Sequence, residues 1–90
     1  MLQTVSILIT GKVQGVYYRQ STKEKARQLG ITGFVKNLPD GNVQVIATGT
    51  STQLNSLANW CKQGPPRAKV DAVKMEEIPA QVFTGFTIQQ

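Results

Sequence analysis

Pro39-Asp40-Gly41-Asn42 lies near the middle of the chain, between the apolar runs Ile31 to Leu38 and Val43 to Thr48. Proline presets one φ, the Asp and Asn side chains fold back on their own backbone, and glycine supplies the positive φ of a tight turn. The two runs are therefore expected to pair as a β-hairpin. The hairpin divides the remainder into two similar flanks, and each flank has to pack against it.

Upstream, Gln3 to Thr10 alternates, with Val5, Ile7 and Ile9 on one side and Thr4, Ser6 and Thr10 on the other, and only Leu8 out of step. This period of two predicts a strand with one buried face. Thr22, Ala26 and Leu29 recur at helical spacing, so Ser21 to Leu29 is expected to be a helix that Gly30 ends. Ser21 and Glu24 fit a capping box there, with Arg19 as an alternative start one turn earlier.

Downstream, Thr50 and Gln53 fit a second capping box, and Leu54, Leu57, Ala58 and Cys61 form a helical stripe. Gly64-Pro65-Pro66 stops that helix. Lys69 to Glu77 follows as a strand carrying Val70, Val73 and Met75. Phe83 to Ile88 is a short apolar tail, expected to add an edge segment or complete the sheet.

The order βαββαβ splits into two βαβ units. It predicts an α+β fold, a ferredoxin-like sandwich in which an antiparallel sheet carries two helices on one face. No repeat or linker interrupts it, so residues 1–90 are expected to form a single domain.

Composition narrows the chemistry. The chain contains no histidine, which excludes a histidine base, a histidine triad and the usual zinc sites. Its one cysteine, Cys61, falls on an apolar stripe and cannot form an internal disulfide. No signal peptide or membrane-spanning run is visible, so a cytoplasmic protein without a membrane partner is expected. The net charge of +5 favours an anionic partner.

The segment Gly11-Lys12-Val13-Gln14-Gly15-Val16-Tyr17-Tyr18-Arg19 fits such a partner. It joins a strand to a helix, holds two glycines and no acid, and ends on an arginine. Converging backbone N–H groups, a helix N-terminus and a guanidinium fork together suit phosphate. Topology adds a neighbour. In this fold the first and second strands run the same way, so the end of the second, with Asn37, lies at the same sheet edge as the loop.

Gly11-x-Val13-Gln14-Gly15-Val16-x-Tyr18-Arg19 is similar to the signature of the acylphosphatases. The likeness continues through Ala26, Leu29-Gly30-Ile31-x-Gly33-Phe34-Val35-x-Asn37, Asp40-Gly41-x-Val43, Gly49, Gly64-Pro65-Pro66-x-Ala68-x-Val70 and Phe86-x-Ile88. It covers essentially the whole chain. Tyr18 stands where the family usually has phenylalanine, Phe34 where tryptophan is common, and Gln44 where glutamate is frequent.

The resemblance implies an enzyme that hydrolyses the carboxyl–phosphate bond of acyl phosphates without metal or other cofactor. It implies that Arg19 binds phosphate and Asn37 holds the attacking water. The backbone amides of Gln14, Gly15, Val16, Tyr17 and Tyr18 would cradle the phosphoryl oxygens, and inorganic phosphate or a similar anion could occupy the same cradle. A monomer suffices for this. The alternative is an RNA-binding module of the same fold, whose aromatic residues stack bases. Thr32-Gly33-Phe34-Val35 echoes its signature only faintly, on the second strand and not the third, and nucleic acid is not the expected partner.

Overall fold

The computed structural model describes residues 1–89. Along the chain run β1 (Gln3–Lys12), α1 (Tyr18–Leu29), β2 (Thr32–Asn37), β3 (Val43–Gly49), α2 (Ser51–Gln63), β4 (Lys69–Ile78) and β5 (Phe86–Gln89). The sheet has the order β4-β1-β3-β2-β5. β1 and β2 both pair antiparallel with β3, so they point the same way. Val43 pairs with Ile9 on one side and Asn37 on the other, which sets the ends of β1 and β2 at one level.

Alternation along the strands builds the core. Val5, Ile7, Ile9, Val35, Val43, Val45 and Ala47 are buried on the helix-bearing face. Leu54, Leu57 and Cys61 of α2 and Tyr18 and Ala26 of α1 close over them. α1 packs on β2 and β5, while α2 packs on β4, β1 and β3. Gly33 has φ 140°, and a Cβ there would run into the carbonyl of Ile46 on β3. Only glycine lets the two central strands pair at that point.

The sheet is mixed and not purely antiparallel, and the alternatives left open for the tail and for the start of α1 are decided. The tail does not merely finish an antiparallel sheet. β5 adds a fifth strand parallel to β2, with Val35 opposite Ile88 and Lys36 opposite Gln89. The link from β4 to β5 crosses the sheet at the end remote from the loop. Gln81 is pinned there: its N–H donates to Thr4 Oγ1 at 2.9 Å, and Thr48 Oγ1 donates to its carbonyl at 2.9 Å. That crossover is what allows a parallel edge.

The first helix begins at Tyr18, and the Ser21–Glu24 capping box is not used. Tyr17 turns the chain in at φ 63°, and its carbonyl accepts the Ser21 N–H at 3.0 Å. Ser21 is thus already inside the first turn. Thr50 and Gln53 do form the expected reciprocal box on α2. Met75 is exposed, although Val70 and Val73 on the same strand pack on the core.

Two hydrogen bonds join the helices: Gln53 Nε2 donates to the Leu29 carbonyl at 2.9 Å, and a second bond, at their other ends, has a clear sequence origin. In α2 the carbonyl of Cys61 would normally accept from residue 65, but Pro65 has no N–H. The Tyr18 hydroxyl donates to that carbonyl at 2.7 Å. Burial pushes the Tyr18 hydroxyl pKa far up, and it raises the Cys61 thiol to about 12. Both groups therefore stay protonated in the folded chain. Among the described residues no helix is long and apolar enough to cross a membrane.

Tyr18→Phe removes the donor and leaves a buried carbonyl unpaired. It is expected to cost about 1–3 kcal/mol, read as a lower urea midpoint with an unchanged slope. Stability should also fall as pH rises from the ordinary thiol value of 9.0 towards 12, because the unfolded chain releases the Cys61 proton first. Cys61→Ala should remove the decline between pH 9.0 and 10.0 in an alkaline denaturation series and lessen it above, where ionisation of Tyr18 in the unfolded chain also contributes.

Candidate active site

β1 does not end at Thr10. It continues to Lys12 after an irregularity between Thr10 and Gly11, which re-aims the chain before it leaves the sheet. The loop then alternates inward and outward. Val13 and Val16 are buried, whereas Gly15 and Tyr17 are exposed. Gly15 has φ 74°, and a Cβ there would meet nothing within 4 Å. Positive φ, not crowding by protein, is what requires glycine at this position.

Gln14 ties the loop to the hairpin. Its Nε2 donates to the carbonyls of Leu38 and Asn42, each at 2.8 Å. Leu38 directly follows Asn37, so these bonds fix the loop against the end of β2. The hairpin is closed in its own right, with the Leu38 N–H donating to the Asn42 carbonyl at 2.8 Å. Asp40 Oδ1 accepts the Asn42 N–H at 3.0 Å, the side-chain turn expected from the sequence.

Tyr17 is the only described non-glycine residue with positive φ. For an L-residue this conformation costs on the order of 1–3 kcal/mol. The buried side chains of Val16 and Tyr18 hold it from both sides. The first turn of α1 contains no acidic residue, so the positive potential at its N-terminus is uncompensated. Arg19 lies in that turn, and its Nη1 donates to the Gln89 carbonyl at 3.2 Å. The tail strand thus reaches the site and orients the guanidinium, leaving other N–H groups of the fork available.

Asn37, the last residue of β2, has its Oδ1 buried with no hydrogen-bond partner among the described residues. A buried amide oxygen left in this way costs about 1–3 kcal/mol. Half a turn about its last side-chain bond exchanges oxygen and nitrogen, so either can meet a ligand or a water.

Of the residues singled out from the sequence, Gly15, Tyr17, Tyr18, Arg19 and Asn37 line one cleft of about 500 Å³. Gln14 and Val16 are not among its lining residues. The Gln14 side chain turns to the hairpin and that of Val16 to the core. Ile88 and Gln20 line the cleft and were not anticipated. Gln20 follows from the earlier helix start. Ile88 follows from the parallel register of β5, for which the alternation Phe86-x-Ile88 was the only local sign.

The acylphosphatase family model matches residues 5–88. The chain belongs to the acylphosphatase family. An acylphosphatase of Marinobacter nauticus is 58% identical over 81 residues, which span 89% of this chain and 88% of that one. The solved acylphosphatase of Coxiella burnetii superposes with a TM-score of 0.94 at 38% identity, over 98% of this chain and 93% of that chain. That of Bacillus subtilis gives 0.94 at 32% identity over the whole of both chains. Family and fold together make the protein a hydrolase.

Within the site, Gln14 has a structural task that can be measured. Leu38 and Asn42 carbonyls each keep a backbone donor if its amide is lost. Gln14→Ala should therefore cost only the two bonds, about 1–3 kcal/mol in all. Hydrogen exchange should show lost protection in the 13–17 loop and at the hairpin, with the far end of the sheet unaffected.

Proposed function

We propose that this enzyme hydrolyses the carboxyl–phosphate bond of acyl phosphates, with phosphate held by Arg19 and the 14–18 backbone amides and water held by Asn37. The observation that carries the reading is the shared cleft, in which a loop suited to an anion meets an Asn37 amide that lacks a partner for its oxygen. The names of the relatives support the substrate class.

The chemistry asks for what these residues offer. The leaving group is a carboxylate of pKa about 4, so it departs at neutral pH without a proton. No general acid is required, and the absence of histidine is no obstacle. Phosphoryl transfer depends mainly on positioning and on stabilising charge over the equatorial oxygens. A guanidinium fork meets two oxygens at once, and converging N–H groups meet a third. Water attacks phosphorus in line, the bond from phosphorus to the acyl oxygen breaks, and the carboxylate leaves. Asn37 is neutral and takes no proton. It accepts one hydrogen bond and so aims the water, whose proton passes to the phosphate or to solvent.

The single cysteine is free and buried, in keeping with a cytoplasmic setting. Nothing favours RNA as partner. On the face away from the helices β3 carries Gln44, Ile46 and Thr48, none of them aromatic and the last two buried, and Phe34 is engaged edge-on by Phe83 at 5.8 Å.

A hydrolysis assay with chelator present tests the mechanism. Wild-type turnover should persist. Arg19→Lys should lose roughly a hundred- to thousandfold in rate, because a point charge cannot replace the planar fork. Asn37→Ala should lose turnover while inorganic phosphate still inhibits. Full activity in Arg19→Lys, or a requirement for added metal, would sink the mechanism.

A further inference from the structure

We propose that Tyr17 is a specificity-determining residue, its ring forming the subsite for the acyl group and favouring aromatic over short acyl chains. This rests on the reading of the cleft as an acyl-phosphate site. In that reading Arg19 and Asn37 serve the phosphoryl group and the water, so the acyl group must meet the rest of the lining. Val13 and Tyr18 are each only 1% exposed and form the floor. Tyr17 is 78% exposed, and Ile88 is half-buried nearby on the cleft wall. A cleft of about 500 Å³ is of the size that holds a whole small molecule, not a phosphoryl group alone.

Backbone conformation gives the second argument. At φ 63° glycine or asparagine is the comfortable residue, and an aromatic one is strained. A ring so exposed adds nothing to the core, so stability does not explain it. Strain retained at a cleft without a packing return points to a use for the side chain. Among the described residues the lining contains no acid and no cation besides Arg19, which suits an uncharged acyl group. A flat aromatic group can stack on the tyrosine face.

The test compares kcat/KM for benzoyl phosphate and acetyl phosphate in wild type, Tyr17→Asn and Tyr17→Phe. Asparagine tolerates the left-handed backbone and deletes the ring, so the fold is kept. Wild type should prefer benzoyl phosphate. Tyr17→Asn should lower the benzoyl-to-acetyl ratio about three- to tenfold, chiefly through KM for benzoyl phosphate. Tyr17→Phe should keep the wild-type ratio. An unaltered ratio in Tyr17→Asn, with both substrates still hydrolysed, overturns the acyl subsite and leaves the acyl-phosphate reading standing. If wild type hydrolyses neither compound, the reading falls and the subsite with it.

Discussion

The pairing of β3 with strands on both sides is the constraint on which the site depends. Val43 bonds outward to Ile9 and to Asn37, so two segments far apart in sequence end at one level. A shift of either strand by one residue would turn its apolar face to solvent, because side chains alternate. The buried valines and isoleucines therefore lock the register, and the register locks the height of Asn37 against the loop. Gly33 is part of the same constraint, since a side chain there would push β2 off β3.

Onto this frame the chain adds three local tethers that meet at the loop. Gln14 fastens it to the hairpin, the Tyr18 hydroxyl fastens the start of α1 to the end of α2, and the Gln89 carbonyl holds Arg19. Each comes from a different element. A loop held from three sides keeps one backbone arrangement before any ligand arrives, which is what the proposed phosphate site would need for preorganised electrostatic stabilisation. The same rigidity explains how a tyrosine is kept at positive φ.

Much of the fold was legible because its signals are local. The turn 39–42, the alternation in Gln3 to Thr10, the Thr50–Gln53 box and the Gly64-Pro65-Pro66 stop each act over a few residues, and each is found in the structure. At the start of α1 the local signals left two readings, a cap at Ser21 or a start one turn earlier at Arg19, and the structure favours the earlier one. Ser21 and Glu24 satisfy the local rule, but the helix is nucleated earlier by a strained Tyr17, and no propensity favours a tyrosine there. Met75 pairs with the buried Ile7 yet stays exposed, because it lies on the edge strand β4.

The sequence by itself determined the order of elements and the α+β class, and it singled out Arg19 and Asn37, which the structure brings to one cleft. Periodicity, turn chemistry and functional-group chemistry are properties of short stretches and of side chains. Tertiary structure alone decided that β5 runs parallel to β2, that Ile88 and Gln89 reach the site, and that Gln14 serves the hairpin through its side chain. These depend on pairings across 24 to 70 residues of chain, as in the bonds from Gln14 to Leu38 and from Arg19 to Gln89. Such contacts form only once the core has fixed where distant segments lie, and no local pattern records them.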